Sequence, residues 1–165
     1  MKKTMKKAAI MVAAFLLGTF IAPRSSAAQE KARDGRFIAY NNGTVLDTRT
    51  NLMWAAKDNG YEITWQDAKS YCENYGGGKH TDWRMPTMAE LEGLYDEDRS
   101  RPAPCDKELE ICVATELIVL TCSRIWASET RGSDAANFGF ATGVRHWNAP
   151  SYILSRRALP VRSGK

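Results

Sequence analysis

The chain has 165 residues, and its 23 Lys and Arg against 19 Asp and Glu give a net charge of +4. Five of those bases and none of the acids lie in residues 1–28, so the rest carries 18 bases against 19 acids and a net charge of −1. That balance removes the electrostatic ground for a nucleic-acid-binding function, and the remaining length suits one domain with its own core.

The N-terminus carries Lys2, Lys3, Lys6 and Lys7, then an apolar run over residues 8–22 broken only by Gly18 and Thr19. Pro23, Arg24 and the small residues Ser25, Ser26, Ala27 and Ala28 follow. A basic head, a short apolar body and a small-residue exit are the parts of a secretory signal. The run is shorter than the roughly 20 residues a membrane span needs. Residues 1–28 are therefore expected to be a cleaved signal peptide, leaving a periplasmic or secreted bacterial protein without a stable membrane anchor.

Residues 29–35 are polar and read as a flexible tail, and residues 36–165 as a single domain. Residues 36–40 and 44–47 read as two strands joined by Asn41-Asn42-Gly43, because Asn and Gly tolerate the positive φ of a tight hairpin. Leu52-Met53-Trp54 continues as a further strand. Thr64 and Asp67 mark the start of a helix whose buried face is Ala68, Tyr71, Cys72 and Tyr75. Gly76-Gly77-Gly78 follows that helix and ends it; a phosphate loop would precede one. A second helix begins after Pro86, with Thr87 and Glu90 at capping-box spacing and Met88, Leu91, Leu94 and Tyr95 facing inward.

Between residues 96 and 122 the periodicity fades into an acidic, proline-bearing stretch that reads as a long loop. Beyond it, residues 125–128, 137–141, 144–147 and 158–162 read as strands. The order of elements predicts an α+β fold, with two helices packed on a small antiparallel sheet and long loops.

The four cysteines, Cys72, Cys105, Cys112 and Cys122, are an even number in a chain read as exported, which points to disulfides. Of the three possible arrangements, the spacing favours Cys105 with Cys112 and Cys72 with Cys122. No pair has zinc-knuckle spacing and only His80 and His146 are available, so no metal and no cofactor are expected. Nor does any strand–Gly-x-Ser-x-Gly–helix element support a catalytic triad, and no catalytic residue is assigned.

The distribution of charge is more informative than its sum. Residues 90–116 hold nine acids and three bases, whereas the chain after Cys122 holds seven bases and two acids. Arginine predominates there, and its planar fork suits carboxylate and sulfate groups. Arg131, Arg145, His146, Trp147, Arg156 and Arg157 are the candidate ligand-binding residues, with Trp147 as a platform for a sugar ring. The competing reading is that these arginines alternate with core residues on strands and are solvated or paired.

Several words of the sequence belong together: residues 43–54 (Gly-Thr-Val-Leu-Asp-Thr-Arg-Thr-Asn-Leu-Met-Trp), Thr64-Trp65-Gln66-Asp67-Ala68, Asp82-Trp83-Arg84-Met85-Pro86-Thr87 with Glu90-Leu91, Ile125-Trp126-Ala127-Ser128, and Pro160-Val161-Arg162. In this order they resemble the Lcl C-terminal domain family, a domain of unknown function named after the end of a collagen-like bacterial adhesin. The resemblance runs from about Gly35 to Ser163. It implies a C-type-lectin-like fold related to the formylglycine-generating oxidases. Their reactive cysteine pair near the C-terminus has no counterpart after Cys122. The Trp-Asn-Asp triplet of calcium-dependent lectins is Trp147-Asn148-Ala149 here, and Glu-Pro-Asn is absent. Neither activity carries over.

Trp83, Arg84, Pro86, Thr87 and Glu90 read as a structural motif. Trp83 anchors the core, Pro86 and Thr87 set the entry to the second helix, and Arg84 pairs with an acid. The reading is an exported, non-catalytic, adhesin-like carbohydrate-binding module, for acidic polysaccharide or glycosaminoglycan-like chains. The alternatives are a protein-interaction subunit of a cell-envelope assembly and an enzyme related to the formylglycine-generating oxidases.

Overall fold

A computed structural model describes residues 28–164, so all but the last residue of the expected signal lies outside the described residues. The described chain forms eleven β-strands and two α-helices. The first sheet takes β1 (Glu30–Asp34), β2 (Phe37–Tyr40), β3 (Thr44–Asp47) and β4 (Leu52–Ala55) in sequence, then β11 (Val161–Ser163). All its pairs are antiparallel, and the last strand returns to lie beside β4. Gly43 at φ +80° turns the chain between β2 and β3, while Asn42 Oδ1 accepts hydrogen bonds from the backbone N–H and the hydroxyl of Thr44.

A second sheet has the order β10 (Arg156–Arg157), β7 (Arg124–Arg131), β8 (Asp134–Gly139), β9 (Val144–Asn148). Only the short β10 runs parallel to its neighbour. β5 (Tyr95–Ala103) and β6 (Asp106–Val113) form a separate two-stranded hairpin.

α1 (Trp65–Glu73) starts at Thr64, whose hydroxyl accepts the Asp67 N–H, and buries Ala68 and Cys72. α2 (Met88–Glu92) starts at Thr87 with a complete capping box to Glu90, and buries Met88 and Leu91. The main core gathers Val45, Trp54, Leu91, Ile111, Ile125 and Phe138 from both larger sheets, the hairpin and α2. A smaller cluster beneath α1 holds Cys72, Met85 and Trp126.

Three expectations are corrected. The fold is mostly β, with helices of only nine and five residues, and so is not the expected α+β, C-type-lectin-like class of two helices on one small sheet. The difference arises chiefly in residues 96–113, expected as loop, and at Tyr95, expected on the second helix. Their strands are solvent-washed along most of their length and charged at nearly every exposed position, and burial is confined to Ala103 beside the turn and to Ile111, Cys112 and Val113 at the end of β6. Alternation of apolar residues cannot signal strands that bury so few. Side-chain bonds to backbone carbonyls hold the hairpin instead, from Arg99 to Ala114 and from Arg101 to Thr115 and Ile118.

Residues 29–35, expected as a flexible tail, supply β1. Asp34 at its end takes Arg99 in a two-pronged ion pair and the Thr115 hydroxyl at 2.8 Å. The disulfide joins Cys105 to Cys122, and Cys72 and Cys112 are free and buried. Cys112 lies on β6 opposite Ser100, whereas Cys105 sits in the hairpin turn, where its N–H bonds to the carbonyl of Thr121 and brings it to Cys122. The expected pairs, Cys105–Cys112 and Cys72–Cys122, would join residues that this topology sends to different places.

Candidate functional site: a cationic cleft on the second sheet

Strand alternation sorts the second sheet into two faces. Arg124 pairs in register with Gly139, Trp126 with Asn137, and Asn137 with His146, so these residues share one face. Their neighbours Ile125, Ala127, Ala136 and Phe138 face the main core.

The segment of residues 149–157 runs along the first face. Between it and the sheet lies a cleft of about 490 Å³, lined among others by Arg124, His146, Asn148, Tyr152 and Arg156. Ser123, Thr142 and Ser155 add hydroxyls, and no carboxylate lines it.

Arg156 is only 3% exposed. Its guanidinium lies 4.2 Å from the ring centre of Tyr152 and 5.3 Å from that of Trp126. It donates at 2.6 Å to the carbonyl of Leu154 and at 2.6 Å to Asn148 Oδ1. That same oxygen accepts from Asn137 Nδ2 at 3.0 Å. Burial beside two aromatic rings and a fork of fixed bonds leaves the group little freedom.

Three buried polar atoms of this cluster have no hydrogen-bond partner among the described residues: Arg156 Nε, Asn137 Oδ1 and His146 Nε2. A buried unmade hydrogen bond costs about 1–3 kcal/mol, and three of them lie together on this one small surface. Gly139 keeps the imidazole uncovered, since a Cβ there would stand 3.1 Å from His146 Nε2. Arg124 is half-buried, and its side chain makes no hydrogen bond or ion pair with the described residues. Burial, then the charges of Arg124 and Arg156, hold the His146 imidazole below its ordinary pKa. The arrangement is a cationic cleft: two permanent cations and a proton-accepting ring, with no acid among the lining residues.

The six candidate ligand-binding residues are therefore divided. His146 and Arg156 meet in the cleft. Trp147 packs against the main core on the other face, with the Arg131 guanidinium 4.6 Å from its ring centre. Arg145 leaves the sheet edge to form a two-pronged ion pair with Glu92. Arg157 is buried, donating to the Thr121 hydroxyl and the Arg156 carbonyl. It also opposes the effect of burial on Asp58, whose pKa is raised by that burial. Charge counting missed Asn137 and Asn148 because they are neutral, and overlooked Arg124 because nothing in the sequence marks which arginines lack a partner. Asn137 had one legible signal, a polar residue inside the apolar run of β8.

The motif residues lie elsewhere. Trp83 is buried with its indole N–H donating to the Gly77 carbonyl, and Tyr75 packs edge-on at 5.0 Å. Arg84 forms a two-pronged ion pair with Glu90, whose carboxylate also accepts the Thr87 N–H at 2.8 Å. Pro86 is buried just before this cap and accepts the Ser128 N–H, tying the helix entry to β7.

No curated protein matches the chain. The Lcl C-terminal domain matches over residues 43–162, which spans every residue of the cleft and the motif around Trp83, leaving out only β1 and β2 and the end of β11 from the strands. With more than two-thirds of the sequence inside that match, the chain belongs to the Lcl C-terminal domain family.

Proposed function

We propose that the protein is a non-catalytic binding module that acts outside the cytoplasm, and that it holds an acidic unit of a glycan in the cleft formed by Arg124, His146 and Arg156. The observation that carries this reading is the cleft itself: two guanidinium groups line a space with no carboxylate, and three buried polar atoms around it have no hydrogen-bond partner among the described residues. Guanidinium groups stay charged at any accessible pH, so they suit holding an anion and not moving protons. A uronate or sulfate group accepts two parallel N–H bonds from such a fork, and Arg124 has its fork free among the described residues, while Arg156, whose terminal nitrogens already donate to Leu154 and Asn148, adds fixed positive charge. The exposed ring of Tyr152 offers a face on which a sugar ring can stack. The secretory pattern of residues 1–28 supports a place in the periplasm or beyond the cell.

The test is an NMR titration of the folded domain with D-glucuronate and with a sulfated monosaccharide, repeated for Arg124→Ala. Binding that places its shift changes on β7, β9 and residues 149–157, and weakens at least tenfold in the variant, supports the reading. Arg124 is only half-buried and its side chain makes no hydrogen bond or ion pair with the described residues, so its loss leaves the fold intact. No binding, or binding indifferent to Arg124, overturns it.

A further inference from the structure

The segment that walls the cleft also walls a second depression. Tyr152 and Leu154 line the cleft, and Ile153 between them lines a groove of about 580 Å³ with Tyr61, Ile63 and Tyr71. Because the three residues are consecutive, one thickness of chain separates the two depressions.

This wall exposes apolar surface in a held conformation. Tyr61 is 55% exposed, Ile153 42% and Leu154 57%. Yet the segment is tied down along its length. Trp65 N–H donates to the Pro150 carbonyl at 2.9 Å, Ser155 N–H to the Glu62 carboxylate at 2.9 Å, and Arg156 N–H to the Ile153 carbonyl at 2.9 Å. Ser155 stands at φ +62°, a conformation disfavoured for a residue with a side chain. These side chains are presented to solvent on a backbone held by specific bonds, so the apolar surface is preformed.

The two depressions differ in charge. Arginines and a histidine line the cleft, whereas Glu62 and Asp67 are the charged residues lining the groove, which has no base. A second carboxylate or sulfate is repelled from the groove, and an uncharged ring with an apolar face and hydroxyl edges fits it.

Building on the reading of the cleft as an acidic-sugar site, we infer that Tyr61, Tyr71 and Ile153 form a second subsite for a non-acidic sugar unit joined to the acidic one. The protein then selects a glycan in which acidic and neutral units adjoin, and discriminates against runs of acidic units.

Three probes test this by NMR or calorimetric titration: D-glucuronate, a glucuronate–glucose disaccharide, and a dimer of uronic acids. The neutral-bearing disaccharide is expected to bind at least tenfold more tightly than glucuronate, and the diuronate no more tightly than glucuronate. In the double variant Tyr61→Ala, Ile153→Ser, the disaccharide falls to within about threefold of glucuronate while glucuronate itself is unaffected. Both replaced side chains are exposed, so the variant folds. Equal binding of glucuronate and the disaccharide, or a gain that survives the double variant, overturns the subsite and leaves the cleft standing. If neither sugar binds the unaltered protein, the cleft reading falls and the subsite with it.

Discussion

Two side chains show what burial does to chemistry at the scale of one residue. His146 has its pKa lowered by burial and by Arg124 and Arg156, so the folded protein prefers it neutral. The unfolded chain binds the proton more readily, and stability therefore falls as pH drops below about 6.5, the ordinary histidine value, until the folded imidazole itself is charged. His146→Gln should flatten that part of a Tm–pH curve. Conversely, an anion in the cleft favours the protonated ring, so uronate should bind more tightly at pH 5 than at pH 7.5, and this difference should vanish in the same variant. Cys72 makes the opposite case. Burial pushes its thiol up to about 12, and it has no cation beside it. Thiolate is the reactive form, so Cys72 should resist iodoacetamide in the folded protein and react once denaturant is added, as mass spectrometry of the alkylated chain will show.

Among the elements, the entry to α2 concentrates several bonds on one carboxylate. Glu90 closes the capping box with Thr87 and holds Arg84; burial pushes its pKa up, but the bonds from Arg84 and Thr87 outweigh burial and leave it below the ordinary value. Thr87→Ala removes one half of the cap and should cost about 1 kcal/mol. Arg84 is nearly half-exposed, so its ion pair contributes less than about 1 kcal/mol, and Arg84→Ala should be the milder change. Glu90→Ala, which loses both interactions, should exceed either in urea denaturation. These helix starts were legible because a cap is a local device: Thr64 with Asp67, and Thr87 with Glu90, meet within one turn of the chain. The hairpin of β2 and β3 was legible for the same reason, through Asn42 and Gly43. The β5–β6 hairpin was not, because its bonds run to Asp34, Ala114, Thr115 and Ile118, contacts the local pattern does not display.

Closure of the whole molecule depends on its last strand and its one disulfide among the described residues. β11 completes the first sheet beside β4, and Val161 also exchanges both backbone bonds with Arg84. Arg162 within it holds Asp82 in a two-pronged pair. Removing residues 161–165 uncovers β4 and the fully buried Trp54 and should abolish cooperative unfolding, measured by circular dichroism on heating. Cys105–Cys122 closes a loop of 17 residues, worth about 3 kcal/mol in the loop-entropy account, and the double Cys→Ser variant should lose about that much.

The sequence alone determined what depends on neighbours along the chain: the tight turn at Gly43, both helix caps and the positions of most later strands. It also carried the ordered words by which the family is identified. Only the tertiary structure decided which cysteines meet, which arginines are buried, and which strands share a sheet. The reason is physical. A cap or a turn is set by a few adjacent dihedrals and hydrogen bonds, whereas a disulfide or a cleft needs residues brought together from distant strands. Arg124, Asn137, His146 and Arg156 span 33 positions of the chain and become one site only when β7, β8, β9 and β10 pair in register.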